Sequence, residues 1–140
     1  MSYLIDTNVL SELRRKTPDE NVVAWFSQRP PVTLYLSVLT LGEIRKGIEA
    51  LDDDTRKLSL LDWLEADLPA FFIGRVLPVN AQVADRWGRL LAAARRPIPA
   101  IDSLLAATAL EHDLVLVTRN IKDFSHLPVQ TINPWTSKSA

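Results

Sequence analysis

Short apolar runs alternate along this chain with longer stretches in which apolar positions recur at helical spacing. The run Tyr3-Leu-Ile5 stops at Asp6 and reads as a strand; residues 8–16 then read as a helix. A second helix is predicted over 19–29, with Val22 and Phe26 on one face and Pro30-Pro31 as its stop. Residues 33–38 alternate as a strand does. Residues 40–51 return to helical spacing through Leu41, Ile44, Ile48 and Leu51, and Thr40-Leu-Gly-Glu43 has the form of a capping box. Asp52-Asp-Asp-Thr55 opens a helix that continues to Leu68 and ends before Pro69. A short strand over 76–79 precedes the clearest amphipathic helix, 80–96, whose Val83, Trp87, Leu90, Leu91 and Ala94 share a stripe. Residues 100–112 are helical, with Ile101, Leu104, Leu105 and Thr108 inward. Residues 114–117 form an unbroken apolar strand of the kind covered on both faces, and 129–132 a last, weaker one.

Strands separated by helices predict an α/β fold: a central, mostly parallel sheet of four to five strands with helices on both faces. The 140 residues show no repeat, low-complexity tract or linker, so residues 1–140 are expected to form one domain. The absence of cysteine excludes disulfide frameworks, thiolate zinc sites and cysteine nucleophiles. No secretory signal is visible, and the longest uncharged stretches contain prolines and fall short of a membrane span. A cytoplasmic protein is expected.

The net charge of −1 hides an uneven distribution. Residues 51–70 carry six acids against two bases, whereas residues 71–140 carry five acids against eight bases. Such a chain is no globally basic nucleic-acid binder, and a polyanion would have to meet a local patch. Arg14-Arg15-Lys16, Arg45-Lys46, Arg95-Arg96 and Arg119 are candidate phosphate contacts, or ordinary solvated helix faces.

In open α/β sheets, ligands bind beyond the carboxyl ends of the strands. The polar residues expected there are Asp6 and Asn8 after the first strand, Glu43 in the first turn of the helix after the second, and Thr118 and Asn120 after the fourth. Asp123 follows one turn later, and Asp102 opens the preceding helix. Each acid taken singly has a structural role available, as a cap or a first-turn charge. Taken together they do not. Two like charges ~4 Å apart repel by about 4 kcal/mol at an effective dielectric near 20, whereas a helix N-terminus returns only ~0.3–1 kcal/mol per carboxylate. Converging carboxylates must protonate or bind a cation, and an oxygen-only set favours a hard ion, Mg²⁺ or Mn²⁺.

Four blocks carry a family resemblance: Leu4-Ile-Asp-Thr-Asn-Val-Leu-Ser-Glu-Leu13, Leu41-Gly-Glu-Ile-Arg-Lys-Gly47, Ile101-Asp-Ser-Leu-Leu-Ala-Ala-Thr108 and Leu116-Val-Thr-Arg-Asn-Ile-Lys-Asp-Phe124, with the ending Ile132-Asn-Pro-Trp135. In these the chain resembles PIN-domain proteins of the VapC type, the toxin half of type II toxin–antitoxin pairs, over nearly its whole length. The resemblance implies a PIN-like three-layer sandwich and a Mg²⁺- or Mn²⁺-dependent endoribonuclease with one or two ions. It makes Asp6, Glu43 and Asp102 the metal-binding acids. Many PIN domains have an acid where this chain has Asn120, which leaves Asn120 or Asp123 for the fourth position; Asn8 and Thr118 are supporting residues. Single-stranded or loop RNA is the implied substrate, with Arg14, Arg45, Lys46 and Arg119 as candidate contacts.

The resemblance further implies a homodimer, a cognate antitoxin of the VapB or FitA kind lying over the active site, and a larger assembly with it on operator DNA. The apolar residues between Leu58 and Phe72 cover more of a helix than one core-facing stripe requires, and read either as a deeply buried helix or as an apolar interface. Three other readings are set against the nuclease. A catalytically inactive PIN domain would act as a binding module in an antitoxin–DNA repressor complex. A metal-free ribonuclease would need His112 and His126. A phosphatase with an aspartyl nucleophile would need a second acid where Asn8 stands.

Overall fold

A computed structural model describes residues 1–136. The strands are β1 (Tyr3–Ile5), β2 (Leu34–Ser37), β3 (Val76–Leu77), β4 (Val115–Val117) and β5 (Thr131–Ile132). The helices are α1 (Thr7–Leu13), α2 (Glu20–Ser27), α3 (Val38–Glu49), α4 (Asp54–Asp62), α5 (Leu68–Phe71), α6 (Ala81–Ala93) and α7 (Ala100–Glu111). A π-helical turn, Trp63–Asp67, joins α4 to α5, and single 3₁₀ turns lie at Pro31–Thr33 and Ile121–Phe124.

All five strands pair in parallel, in the order β3-β2-β1-β4-β5. Both faces are covered, so alternate strand residues enter different cores. Ile5, Leu34, Leu36 and Val117 pack with Val9, Leu10, Trp25, Ile44 and Phe72, from the layer of α1, α2, α3 and the α4–α5 arm. Leu4, Tyr35 and Leu116 pack on the other side with Val83, Leu90, Leu105 and Ala106, from α6 and α7. Period-two alternation of apolar residues into two cores is what makes the strands uninterruptedly hydrophobic. The result is the expected three-layer sandwich.

β1 sits between β2 and β4, so the chain leaves β1 for one side of the sheet and returns on the other. The crevice at the carboxyl ends of β1 and β4 is therefore the topological switch point. Two end devices aim the chain into it. The backbone N–H of Asp6 still bonds the carbonyl of Val117 at 2.9 Å, holding the two strand ends side by side. At the far edge α7 closes in a Schellman pattern. Asp113 adopts φ 55°, and the N–H of Leu114 donates to the Ala109 carbonyl at 2.8 Å, which turns the chain sharply into β4.

Two expectations are corrected, and one open choice is decided. Thr40 does not cap α3: Ser37 does, its hydroxyl accepting the Leu39 N–H at 3.0 Å, and the helix already begins at Val38. Glu43 therefore lies in the second turn, and its carboxylate is free of capping. Pro69 does not end its helix either. The π turn before it bonds Leu68 N–H back to Trp63, and the widened turn accepts a residue that has no N–H to give. Nor is the Leu58–Phe72 segment deeply buried. Leu64, Leu68 and Phe72 enter the core, but Leu58 is 67% and Phe71 40% exposed. Phe71 stacks on Phe26 across an apolar groove of about 250 Å³ that Leu10, Leu13, Trp63 and Leu68 also line.

Candidate active site

Asp6 leaves β1 almost fully buried, at 7% exposure. Its Oδ1 accepts the N–H of Thr7 at 2.7 Å, at the start of α1. Its Oδ2 accepts the hydroxyl of Thr118, at the end of β4, at 2.8 Å. The capping role and the site role thus fall to different oxygens of one carboxylate. Thr118 is fully buried, and its Oγ1 in turn accepts the N–H of Asn120 at 3.1 Å and the amide of Asn8 at 3.3 Å. The Asn8 amide also reaches Asp6 Oδ2 at 3.4 Å, and its Oδ1 accepts the Arg119 N–H at 3.2 Å. The ends of β1 and β4 are thereby cross-tied by side chains where the ladder stops.

Glu43 comes from α3, across the crevice. The hydroxyl of Thr7 donates to its Oε1 at 2.7 Å, which turns it toward Asp6. Asp102 comes from the first turn of α7 and is half-buried. One cleft of about 660 Å³ has Asp6, Asn8, Glu43, Asp102, Arg119 and Asn120 in its wall. Asp123 is exposed on the 3₁₀ turn and is not part of the wall, although its charge bears on Asp102.

Burial pushes the Asp6 carboxyl above the usual range; the Thr118 and Thr7 hydrogen bonds pull it down, and the charges of Glu43 and Asp102 push it up again. Asp102 is raised as well, first by burial and then by Asp123 and Glu43. The repulsion anticipated from the sequence is therefore built into the cleft.

Among the described residues no three His, Cys, Asp or Glu side chains are packed closely enough to enclose an ion. The acids face one open cleft and do not form a cage. A hard ion such as Mg²⁺, which keeps several of its waters, would draw on only one or two of these carboxylates directly. The donor set is oxygen only, and it is supported by hydrogen bonds from Thr7, Asn8 and Thr118.

The basic candidates divide. Arg119 lines the cleft, as do Arg15 and Arg56. Arg45 is engaged with Glu65 at 2.8 Å and Glu49 at 3.5 Å. Arg14 lies over the Trp63 ring and lines the apolar grooves beside the cleft. Lys46 is exposed on α3, away from the cleft wall. His112 caps the far end of α7, and His126 lies beside Arg96; neither reaches the cleft. Sequence reasoning gave no site role to Arg56, Glu12 or Trp135. Glu12 is only 5% exposed and accepts the N–H of Asp19 at 2.8 Å.

The PIN domain model matches residues 3–129. The chain is similar to toxin FitB of Neisseria gonorrhoeae, 37% identical over 94% of this chain and 97% of that protein. It is also similar to VapC ribonuclease Y4jK of Sinorhizobium fredii, 35% identical over 94% and 96%. The crystal structure of FitAcB from Neisseria gonorrhoeae superposes with a TM-score of 0.91 at 36% identity, covering 96% of this chain and 99% of that one. The structure of FitAB bound to an IR36 DNA fragment gives 0.89 at 34% identity, covering 98% of each.

Proposed function

This chain belongs to the PIN-domain family, and on that premise we propose that it is the toxin of a toxin–antitoxin pair, a divalent-metal-dependent endoribonuclease. The observation that carries the reading is the meeting of Asp6, Glu43 and Asp102 at the switch-point cleft, with arginines on its rim. Mg²⁺ or Mn²⁺ held by these acids would lower the pKa of a water and offset charge on the phosphoryl oxygens. Asp6 is the anchor, since Thr118 and Thr7 fix both its oxygens, and Glu43 is turned toward it by the Thr7 hydroxyl. Asn120 brings a neutral carbonyl rather than a charge to the cleft wall, so the acids present suit one ion better than two. Arg15 and Arg56 meet the flanking phosphates, and no nucleophilic side chain is needed. Hydrolysis by water leaves a 5′-phosphate and a 3′-hydroxyl.

The same reading supplies the partners. FitAcB and FitAB are complexes in the solved structures, one of them on DNA. By that similarity this chain pairs with an antitoxin and sits with it on operator DNA; the homodimer is what the family resemblance implies. The apolar groove between Phe26 and Phe71 offers a seat for an antitoxin segment beside the cleft. No helix among the described residues is long and apolar enough to cross a membrane.

The test uses antitoxin-free protein and a single-stranded RNA. Cleavage that requires Mg²⁺ or Mn²⁺, stops in EDTA, leaves 5′-phosphate ends and disappears in Asp6→Asn and Asp102→Asn is the expected result. Metal-independent cleavage with 2′,3′-cyclic ends would defeat the reading. Asn120 favours one alternative, a binding module without activity. That reading predicts intact RNA at every metal concentration, together with antitoxin-dependent operator binding.

A further inference from the structure

Arg119 is an exposed cation on the rim of a cleft that holds four carboxylates, Asp6, Glu12, Glu43 and Asp102, yet among the described residues it makes no salt bridge with any of them. Its guanidinium carbon lies 5.0 Å from the centre of the Trp135 ring. At an exposed site the two kinds of contact are of similar strength, so local geometry decides between them. The backbone that carries the two side chains is held from several sides. The Trp135 N–H donates to Asn133 Oδ1 at 2.9 Å, and its carbonyl accepts the Asn21 amide at 2.8 Å. The Asn133 amide reaches the Arg119 carbonyl at 3.5 Å, and the Arg119 N–H donates to Asn8. One side of the indole packs against the core of the α1–α3 layer, and the residue also lines the acid cleft. A continuous set of contacts thus runs from Asp6 through Asn8 and Arg119 to an aromatic ring.

We infer that Trp135 and Arg119 form a base platform, on which an unpaired nucleobase of an RNA strand stacks while its neighbouring phosphate lies at the acids. An aromatic ring and a guanidinium plane are the surfaces proteins use to hold splayed bases, and every base has a face to offer them. Phosphate contacts alone read any strand. A platform reads single-strandedness, because a base inside a duplex is already stacked on its neighbours. The inference deepens the nuclease reading and rests on it for the identity of the strand.

The experiment measures the fluorescence anisotropy of a labelled, mixed-sequence 12-nucleotide single-stranded RNA on the full chain, in EDTA and in Mg²⁺. Trp135→Leu keeps the apolar packing and removes the ring; Arg119→Lys keeps the charge and removes the plane. Each is expected to weaken binding about ten-fold, within the range measured for loss of one stacked base, whereas Trp135→Phe stays within about three-fold. In an RNA with one abasic position at the platform, wild type loses affinity and Trp135→Leu loses nothing further. Arg119→Lys equal to wild type with Arg119→Gln weakened would reduce Arg119 to a phosphate contact and overturn the platform. So would unchanged binding in Trp135→Leu. Because Arg119 is exposed, its variants remain informative if Trp135→Leu fails to fold. Cleavage intact with platform variants silent sinks only the platform. Platform-dependent binding without cleavage at any metal concentration sinks only the nuclease reading, and wild type that binds no RNA sinks both.

Discussion

Thr118→Val removes one hydroxyl from a fully buried position and leaves its shape nearly unchanged. The hydroxyl donates to Asp6 Oδ2 at 2.8 Å, and it accepts from the Asn120 N–H and the Asn8 amide. Asn120 is exposed and Asn8 half-exposed, so water replaces their lost acceptor at little cost. The buried carboxylate has no such recourse, and a hydrogen bond to a charged group contributes about 1.5–3 kcal/mol. The variant should lose about 2 kcal/mol in metal-free buffer at about pH 8, or roughly 6–10 °C in Tm.

The pH dependence carries the diagnosis. This hydrogen bond favours the ionised form of Asp6, so its stabilisation is present while Asp6 is charged. It fades as pH falls through a native pKa raised above 3.8. The penalty should therefore shrink at about pH 4. Urea unfolding in EDTA at both pH values gives the comparison through a shift in midpoint at constant slope. Thr118→Ser, which restores the donor, should recover most of the loss. A Thr118→Val protein as stable as wild type, or equally destabilised at both pH values, would refute the reasoning.

Asp102→Asn should stabilise the metal-free protein, because Asp102 and Asp6 are both held above their ordinary 3.8 by burial and by neighbouring acids. The native state then keeps protons that the unfolded chain has released. Wild-type stability falls as pH rises from 3.8 through the raised values, and the variant falls less. Saturating Mg²⁺ should reverse the order in thermal melts, since only wild type retains the full acid set. Glu12→Ala, which strands the Asp19 N–H bonded at 2.8 Å, should cost about 1.5–3 kcal/mol in chemical denaturation. Glu12→Gln keeps an acceptor and should cost less than half of that. Thr7→Val, which frees the exposed Glu43 from its 2.7 Å contact, should lower the rate of metal-dependent cleavage several-fold with stability changed by less than ~1 kcal/mol.

The layered fold and the acid cluster were readable from sequence for one reason: both follow from periodicity. Apolar runs ending at Asp6 and Thr118 marked the strand termini, and the rule for open α/β sheets placed their polar neighbours at one edge. What periodicity does not resolve is competition between equivalent local signals. Ser37 and Thr40 are both good caps three residues apart, and only the strand length decides that Ser37 serves, which moves Glu43 a turn deeper into α3. Pro69 reads as a stop until a π turn absorbs it. Glu12, Arg56 and Trp135 reach the cleft wall through long-range placement. The Trp135 backbone is held by Asn21 and Asn133, one of them 114 residues away in the chain. No local pattern encodes that.

Asp6, Glu43 and Asp102 share one open cleft, where neighbouring acidic charges help to raise the Asp6 and Asp102 carboxyls and favour a doubly charged counterion. Uptake of Mn²⁺, read from the loss of its free-ion electron paramagnetic resonance signal as protein is added, tests that preference without any substrate. Wild type should remove Mn²⁺ from solution in proportion to protein and release it to excess Mg²⁺, while Asp6→Asn leaves the signal untouched. Equal uptake by both proteins, or none by either, would contradict it.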